Sequence, residues 1–429
     1  MRRLSARWLV YAYVALVILE GALRKWLLPG ALSPLIALAR DPIALLLLWQ
    51  GYRHGLFNPP WLRNLWLMTT MGLAISGLIS LLFSSVPITV WIYGLRSNML
   101  HLPLILIIPG LLEPSDLQKL IKRLLLLALP IALLMMWQYS SPVDAWINRT
   151  AIDGTVLLTA MQGKVRPSGP FSFNTGIAEY FALVNGAIAG GMLDQRLNQR
   201  WVLYGLLSTS LAISVSGSRL MVGAVAIVWL GVLLLRQLRY FRLPSANFLL
   251  GALATATALF FLLQLPPLKG VIDEGWATTS ERFETANRHD GGFLSRFSQS
   301  LGLQDESLWQ APLFGHGLGL GTNFGAKAIS GQVGFALAES EIQRVILESG
   351  MLFGGLFLLF RFALASQILT AAWQRLGTRQ ALPLAFCMSN LWLLLIGQIS
   401  RPTTLGFVVL SMAFSLTAAR HSDQDFGRT

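Results

Sequence analysis

Charge and cysteine are what this chain has least of. Only 12% of its 429 residues are Asp, Glu, Lys or Arg, about half of what a soluble domain carries. So few charges cannot cover a water-facing surface, which excludes an ordinary soluble enzyme. A single cysteine, Cys387, excludes an internal disulfide and a cysteine-ligated zinc site. No internal repeat or low-complexity tract is visible, so a transporter built from two matching halves finds no support in the sequence. What the chain does have is apolar surface: 54% hydrophobic residues with 14 Trp and 23 Phe, and a mean hydropathy of +0.59. This is the composition of an all-α polytopic membrane protein, since helices satisfy their own backbone in lipid.

A membrane span needs about 20 mostly apolar residues. Such segments lie near 8–28, 33–52, 64–84, 89–111, 120–140, 176–194, 201–217, 219–237, 246–265, 343–368, 381–399 and 403–419, about twelve in one integral domain, 1–429. The basic start "MRRLSARW" runs into an apolar stretch too long for a cleavable signal and reads as the first span. The net charge of +13 would suggest nucleic acid in a soluble chain; here it obeys the positive-inside rule. With a cytoplasmic N-terminus, Arg53 and Arg63, then Lys119, Lys122 and Arg123, then Arg196 and Arg200, then Arg236, Arg239 and Arg242, then Arg375 and Arg379 all fall on the same side, with Arg420. Both termini are therefore expected in the cytoplasm. The other side carries two long connections, 142–175 and 266–340, and long connections are usually functional. Within the second, "TTSERFETANRHDGGFLSRFSQSLG" suits an amphipathic helix at the membrane surface, with Phe283, Phe293, Leu294 and Phe297 on its apolar face.

Ionisable residues at or inside spans are costly and either pair or mark a site. Glu20 with Arg24, and Arg40 with Asp41, read as structural pairings between the first two helices. Arg96 and His101 have no acid near them in sequence, so Arg96 meets either an anionic ligand or a carboxylate from another helix. Arg166, in "GKVRPSGPFSFN", stands on a Pro/Gly turn with Asn174 just ahead of the next helix; free N–H groups and a guanidinium there suit phosphate oxygens, or lipid head groups. Arg219, in "SVSGSRLMVG", sits on a turn so short that it lies at the membrane boundary beside Ser218. Snorkelling explains such a residue, but it is on the side where arginine is disfavoured. His316 in the glycine-rich "FGHGLGLGTNFG" is either an acid–base group or a structural turn residue. Without a preceding strand or a following GK[ST], these glycines are weak evidence for nucleotide binding. Then "ALAESEIQRVILESG" presents Glu339, Glu341, Arg344 and Glu348 before the chain becomes apolar again.

The order and sidedness of "RPSGPFSFN", "SGSR" and an acid ahead of a Glu-x-Gly helix resemble the superfamily of O-antigen ligases and Wzy-type O-antigen polymerases, from about Arg166 to Gly355. The resemblance implies a GT-C-like enzyme of the bacterial inner membrane whose active site faces the periplasm. It implies transfer of a glycan from an undecaprenyl-diphosphate donor to an acceptor glycan, without nucleotide sugar, metal or other cofactor. A flippase and a chain-length regulator would be its partners, alongside membrane lipid; nucleic acid would not. By motif, Arg166 and Arg219 would hold the diphosphate, with Arg96 and Arg344 in reserve. Ligases of the superfamily carry a histidine nine residues before the glutamate of Glu-x-Gly; here Glu339 occupies that position, followed by Ser340. This departure favours a polymerase, with Glu339 as general base. Arg344 and Glu348, four residues apart, read as a structural pair, and Glu341 competes with Glu339 for contact with substrate.

Overall fold

Small residues decide which helices lie at the centre. The segment "TGIAEYFALVNGAIAGGML" forms a helix from Thr175 to Leu193 that is buried on nearly every side, as is the helix Pro402–Arg420. A helix apolar all round belongs inside a bundle. A Cβ at Gly186 would lie 2.9 Å from the carbonyl oxygen of Ala385, so the helix Leu382–Ile396 rests directly on the Thr175–Leu193 backbone. Close backbone approach through small residues is the usual way helices associate in lipid.

The computed structural model describes residues 2–83, 86–151, 164–240, 263–289, 301–302, 308, 311–331, 334 and 337–421. In chain order the helices are α1 (Arg2–Ala22), α2 (Ser33–Ala37), α3 (Arg40–Arg53), α4 (Pro60–Phe83), α5 (Ile88–Leu95), α6 (Leu104–Leu111), α7 (Pro114–Ser140), α8 (Thr175–Leu193), α9 (Gln199–Ser216), α10 (Arg219–Tyr240), α11 (Pro266–His289), α12 (Asn323–Ser330), α13 (Glu341–Gly377), α14 (Leu382–Ile396) and α15 (Pro402–Arg420). The architecture is all-helical among the described residues.

Among the described residues seven helices are long and apolar enough to cross a membrane: Ala6–Leu27, α4, α7, α8, α10, α13 and α15. An eighth span arises if Ile88–Leu100 and Leu104–Leu111, bent by 47°, are taken together. The twelve expected segments thus resolve unevenly. The stretch 33–52 is divided into α2 and α3, preceded by the single-turn 3-10 helix Gly30–Leu32, with Asp41 in the first turn of α3. Segment 381–399 yields only the 15 residues of α14, and 201–217 yields α9, which is not among the seven. Segment 246–265 lies almost entirely outside the described residues, as do Phe293, Leu294 and Phe297. The part of the surface helix that is described belongs to a longer one, α11.

Several spans are interrupted. Gly350 breaks α13 with φ 78° and ψ 169°, and Asn390 breaks α14 with φ −141° and ψ 18°. A π-helical turn, Arg96–Leu100, follows α5, and another, Leu23–Leu27, extends α1. Broken spans free backbone groups that buried polar partners must satisfy. Buried Arg361 does this for α14: its donors reach the carbonyls of Leu393 at 3.2 Å, Leu394 at 2.8 Å and Gly397 at 3.0 Å.

The basic turns gather at one end of the bundle. Arg7 pairs with Glu113 and Asp116, Arg420 donates to the Pro109 carbonyl, and Asp194 accepts from the amides of Ala381 and Leu382. The opposite end is built from the turn at Ser168–Gly169, where Lys25 Nζ donates to Ser168 Oγ at 3.0 Å and to the Gly169 carbonyl at 2.5 Å, from the glycine-rich loop before α12, and from α11. Gly275 of α11 lies against the Ser214 carbonyl, and Glu274 pairs with Lys164 at 2.8 Å, a contact that raises the Lys164 pKa above its ordinary value.

Candidate functional site

At that second end a cavity of about 490 Å³ opens between α2, α5, α12, the first turn of α13 and the 398–402 turn. Five cationic side chains line it, Arg24, Arg96, Lys327, Arg344 and Arg401, against one carboxylate, Asp41. Pro34, Ala37, Leu38 and Ile92 give it an apolar wall, of which Leu38 and Ile92 are also open to the outside at 39% and 55%.

Four of the five cations, the arginines, are held by side chains around them. Asp41 receives Arg96 in bidentate fashion, Arg96 Nη2 donating to Oδ1 at 2.9 Å, and its Oδ1 also lies 3.1 Å from His101 Nε2. Arg96 has no acid near it in sequence because its acid comes from α3. Asp41 therefore does not pair with its neighbour Arg40, which instead meets Glu20 at 3.0 Å; Glu20 also holds Arg24 at 3.3 Å. Arg24 is tied further to Ser33 Oγ, Ser172 Oγ and the Ala151 carbonyl. Arg401 stacks over Phe173 at 5.5 Å.

Arg344 has the most elaborate setting. Its Nε and Nη2 donate to Glu341 at 2.8 and 2.9 Å, Nη1 to Glu348 at 2.7 Å, and Nη2 also to Asn98 Oδ1 at 3.2 Å. Glu341 shares its Oε1 with Arg361 at 2.9 Å, and all four charged groups are buried. Bidentate, charge-assisted bonds of this kind are among the strongest available. The expected Arg344–Glu348 pair is present, and the Glu341 carboxylate, expected to compete for contact with substrate, accepts from both Arg344 and Arg361. Ser340 precedes the first residue of α13, Glu341, which leaves Glu339 outside the helix, with an exposed side chain. The Glu339 carbonyl accepts from Gln398 Nε2 at 2.5 Å, which places the residue at the rim of the cavity that Gln398 lines.

Three amides of the glycine-rich loop are engaged by α13. The amides of His316 and Gly317 donate to the carbonyls of Leu347 and Glu348 at 2.7 and 3.0 Å, and the Gly321 amide donates to Glu348 Oε1 at 2.8 Å. These donors are consumed by the end of the first segment of α13. His316 holds this contact through its backbone while its side chain is exposed.

Of the expected site residues, the fold brings Arg96 and Arg344 to the cavity wall and Glu341 directly behind it. Arg166, Arg219, Asn174, Ser218 and His316 do not line it. Ser218 is buried in the turn before α10, where its Oγ accepts weakly from the Met221 amide. Asn174 precedes α8 without a side-chain capping bond, and its Oδ1 is buried. Sequence reasoning set Arg24 and Asp41 aside as structural and passed over Lys327 and Arg401. The last two carried a signal, being basic residues on the side where the positive-inside rule disfavours them. No family model and no curated protein matches this chain.

Proposed function

We propose that the protein polymerises undecaprenyl-diphosphate-linked oligosaccharide on the periplasmic face of the bacterial inner membrane, in the manner of the O-antigen polymerases it resembles. The observation that carries this reading is the cavity itself: five cations and one already-paired carboxylate beside an apolar wall open to the outside. An amphiphile with a multiply charged anionic head and a hydrocarbon chain matches both features. Fixed cations facing a leaving diphosphate stabilise the charge that develops on it, usually the largest catalytic term.

In the reaction the acceptor hydroxyl oxygen attacks the anomeric carbon of the donor sugar. The bond from that carbon to the diphosphate oxygen breaks, its electron pair leaves on the lipid diphosphate, and the hydroxyl proton passes to a base. Asp41 is held by Arg96 and His101, so Glu339 at the rim is the better base; such a group contributes about 10² to 10⁴ in rate. A ligase or related oligosaccharyltransferase would share the donor site and differ in acceptor. A flippase is the second reading, favoured by helices broken at Gly350 and Asn390, since discontinuous helices are common in transporters.

The test uses purified full-length protein in lipid nanodiscs with a polyprenyl-diphosphate-linked oligosaccharide, products being separated by length. Elongation by the wild type, lowered at least 100-fold in Arg401→Ala and Glu339→Gln with unchanged melting temperature, is the expected result. Transbilayer movement of the lipid without elongation favours the flippase, and full activity in Arg401→Ala removes the cavity from the reaction. Arg166→Ala and Arg219→Ala in the same assay decide whether the roles implied by the resemblance apply to residues outside the cavity.

A further inference from the structure

One wall of the cavity is aromatic and layered. The Arg96 guanidinium lies over one side of the Tyr93 ring at 5.2 Å, and the Phe324 ring stacks on Tyr93 with centroids 4.7 Å apart and planes 22° from parallel. Both rings line the cavity, and Phe324 is 41% exposed. The series therefore runs from a charge paired with Asp41 to an open ring, with Lys327 one turn further along α12.

This placement is built into the backbone. A Cβ on Gly94, next to Tyr93, would lie 2.6 Å from the Gly319 amide nitrogen, and one on Gly325, next to Phe324, would lie 2.1 Å from the Gly319 carbonyl oxygen. Only glycine at these positions lets the loop, α5 and α12 meet so closely. Thr322 then starts α12, its Oγ1 accepting from the Gly325 amide at 3.0 Å. Two glycine contacts thus fix Phe324 over Tyr93 at a place where an exposed phenyl ring gains nothing for the core.

We propose that the Tyr93–Phe324 stack is a sugar platform: Phe324 receives the C–H face of the first sugar ring of the donor while the diphosphate is held by the cations next to it. This rests on the reading of the protein as an enzyme of lipid-linked glycans and names the contact that recognises the glycan. The aromatic face is electronegative and attracts the weakly positive C–H hydrogens of a pyranose ring, while ring hydroxyls at the edge remain free for polar partners. The platform therefore distinguishes a sugar-bearing polyprenyl diphosphate from the bare lipid diphosphate released as product. Product release is favoured by the same preference.

The test compares two probes on full-length protein in nanodiscs: a polyprenyl diphosphate carrying a disaccharide, and the same polyprenyl diphosphate without sugar. The wild type is expected to bind the sugar-bearing probe about three- to tenfold more tightly, the size of an aromatic stacking contact. Phe324→Ala and Phe324→Leu are expected to lose that ratio while binding the bare probe as the wild type does, and Phe324→Trp to keep it. A ratio unchanged in both Phe324→Ala and Phe324→Leu, or an equal loss for both probes, overturns the platform. Wild-type binding of the bare probe without preference overturns it while leaving the anion cavity standing; binding of neither probe removes the functional reading and the platform together.

Discussion

Arg344 does two things at once: it faces the cavity and it neutralises two buried carboxylates. A buried ion pair is expensive to assemble and still more expensive to break from one side, because the remaining charge has no water to turn to. Arg344→Ala leaves Glu341 with Arg361 but strips Glu348 of its cation, keeping only the Gly321 amide. The expected cost is about 3–5 kcal/mol, seen as a large drop in the denaturation midpoint in detergent. Glu348→Gln is expected to cost less, since Arg344 retains both bonds to Glu341. If the two variants unfold alike, the cluster does not depend on charge balance in this way. The sequence made the Arg344–Glu348 pair legible through its spacing of four. It did not make Arg361 legible, because the partner of Glu341 lies 20 residues away and beyond a break in the helix.

At the scale of the element, the decisive feature is the break in α13. Gly350 has backbone angles that essentially only glycine adopts, and a Cβ there would lie 2.0 Å from the Leu313 carbonyl oxygen. The break ends the first segment of α13, so that the carbonyls of Leu347 and Glu348 accept from the glycine-rich loop. Gly350→Ala is expected to destabilise the protein by at least about 1–3 kcal/mol from backbone strain alone, with the clash added. Gly355→Ala, five residues on in the same helix and with nothing within 4 Å of its Cβ, is expected to be neutral or slightly stabilising. Comparing the two denaturation midpoints checks the assignment; equal effects would mean that Gly350 is ordinary helix. The apolar period announced a span over 343–368, but periodicity says nothing about a single residue at positive φ. The glycines of the loop looked like ligand-binding glycines for the same reason: spacing shows that backbone is available, and only the fold shows what has already taken it.

For the whole molecule, the question is which end of the bundle faces which compartment. The positive-inside rule predicts the basic turns in the cytoplasm and the cavity outside. Cys387 is buried, so a thiol reagent that cannot cross membranes should leave the wild type unlabelled in folded form. With that background, Ala328→Cys in exposed α12 is expected to react in cells with a permeable outer envelope and an intact inner membrane. Thr378→Cys, exposed in the turn after α13, is expected to react only once the inner membrane is opened. The reverse pattern would invert the topology and place the cavity in the cytoplasm.

The sequence by itself determined that the chain is helical and membrane-embedded, that its basic turns share one end, and that an acid-rich segment precedes a long span. These follow from composition and local spacing, which act within a few turns of chain. Only the tertiary structure decided which charges face a common cavity. Arg24, Arg96, Lys327, Arg344 and Arg401 come from five separate stretches of chain; Glu20 and Glu341 meet Arg24 and Arg344 at helical spacing, whereas Asp41 meets Arg96 only through packing. In a low-dielectric interior a charge takes whichever partner the fold brings within reach. That is why Asp41 joins Arg96, 55 residues away, and leaves the arginine beside it to Glu20.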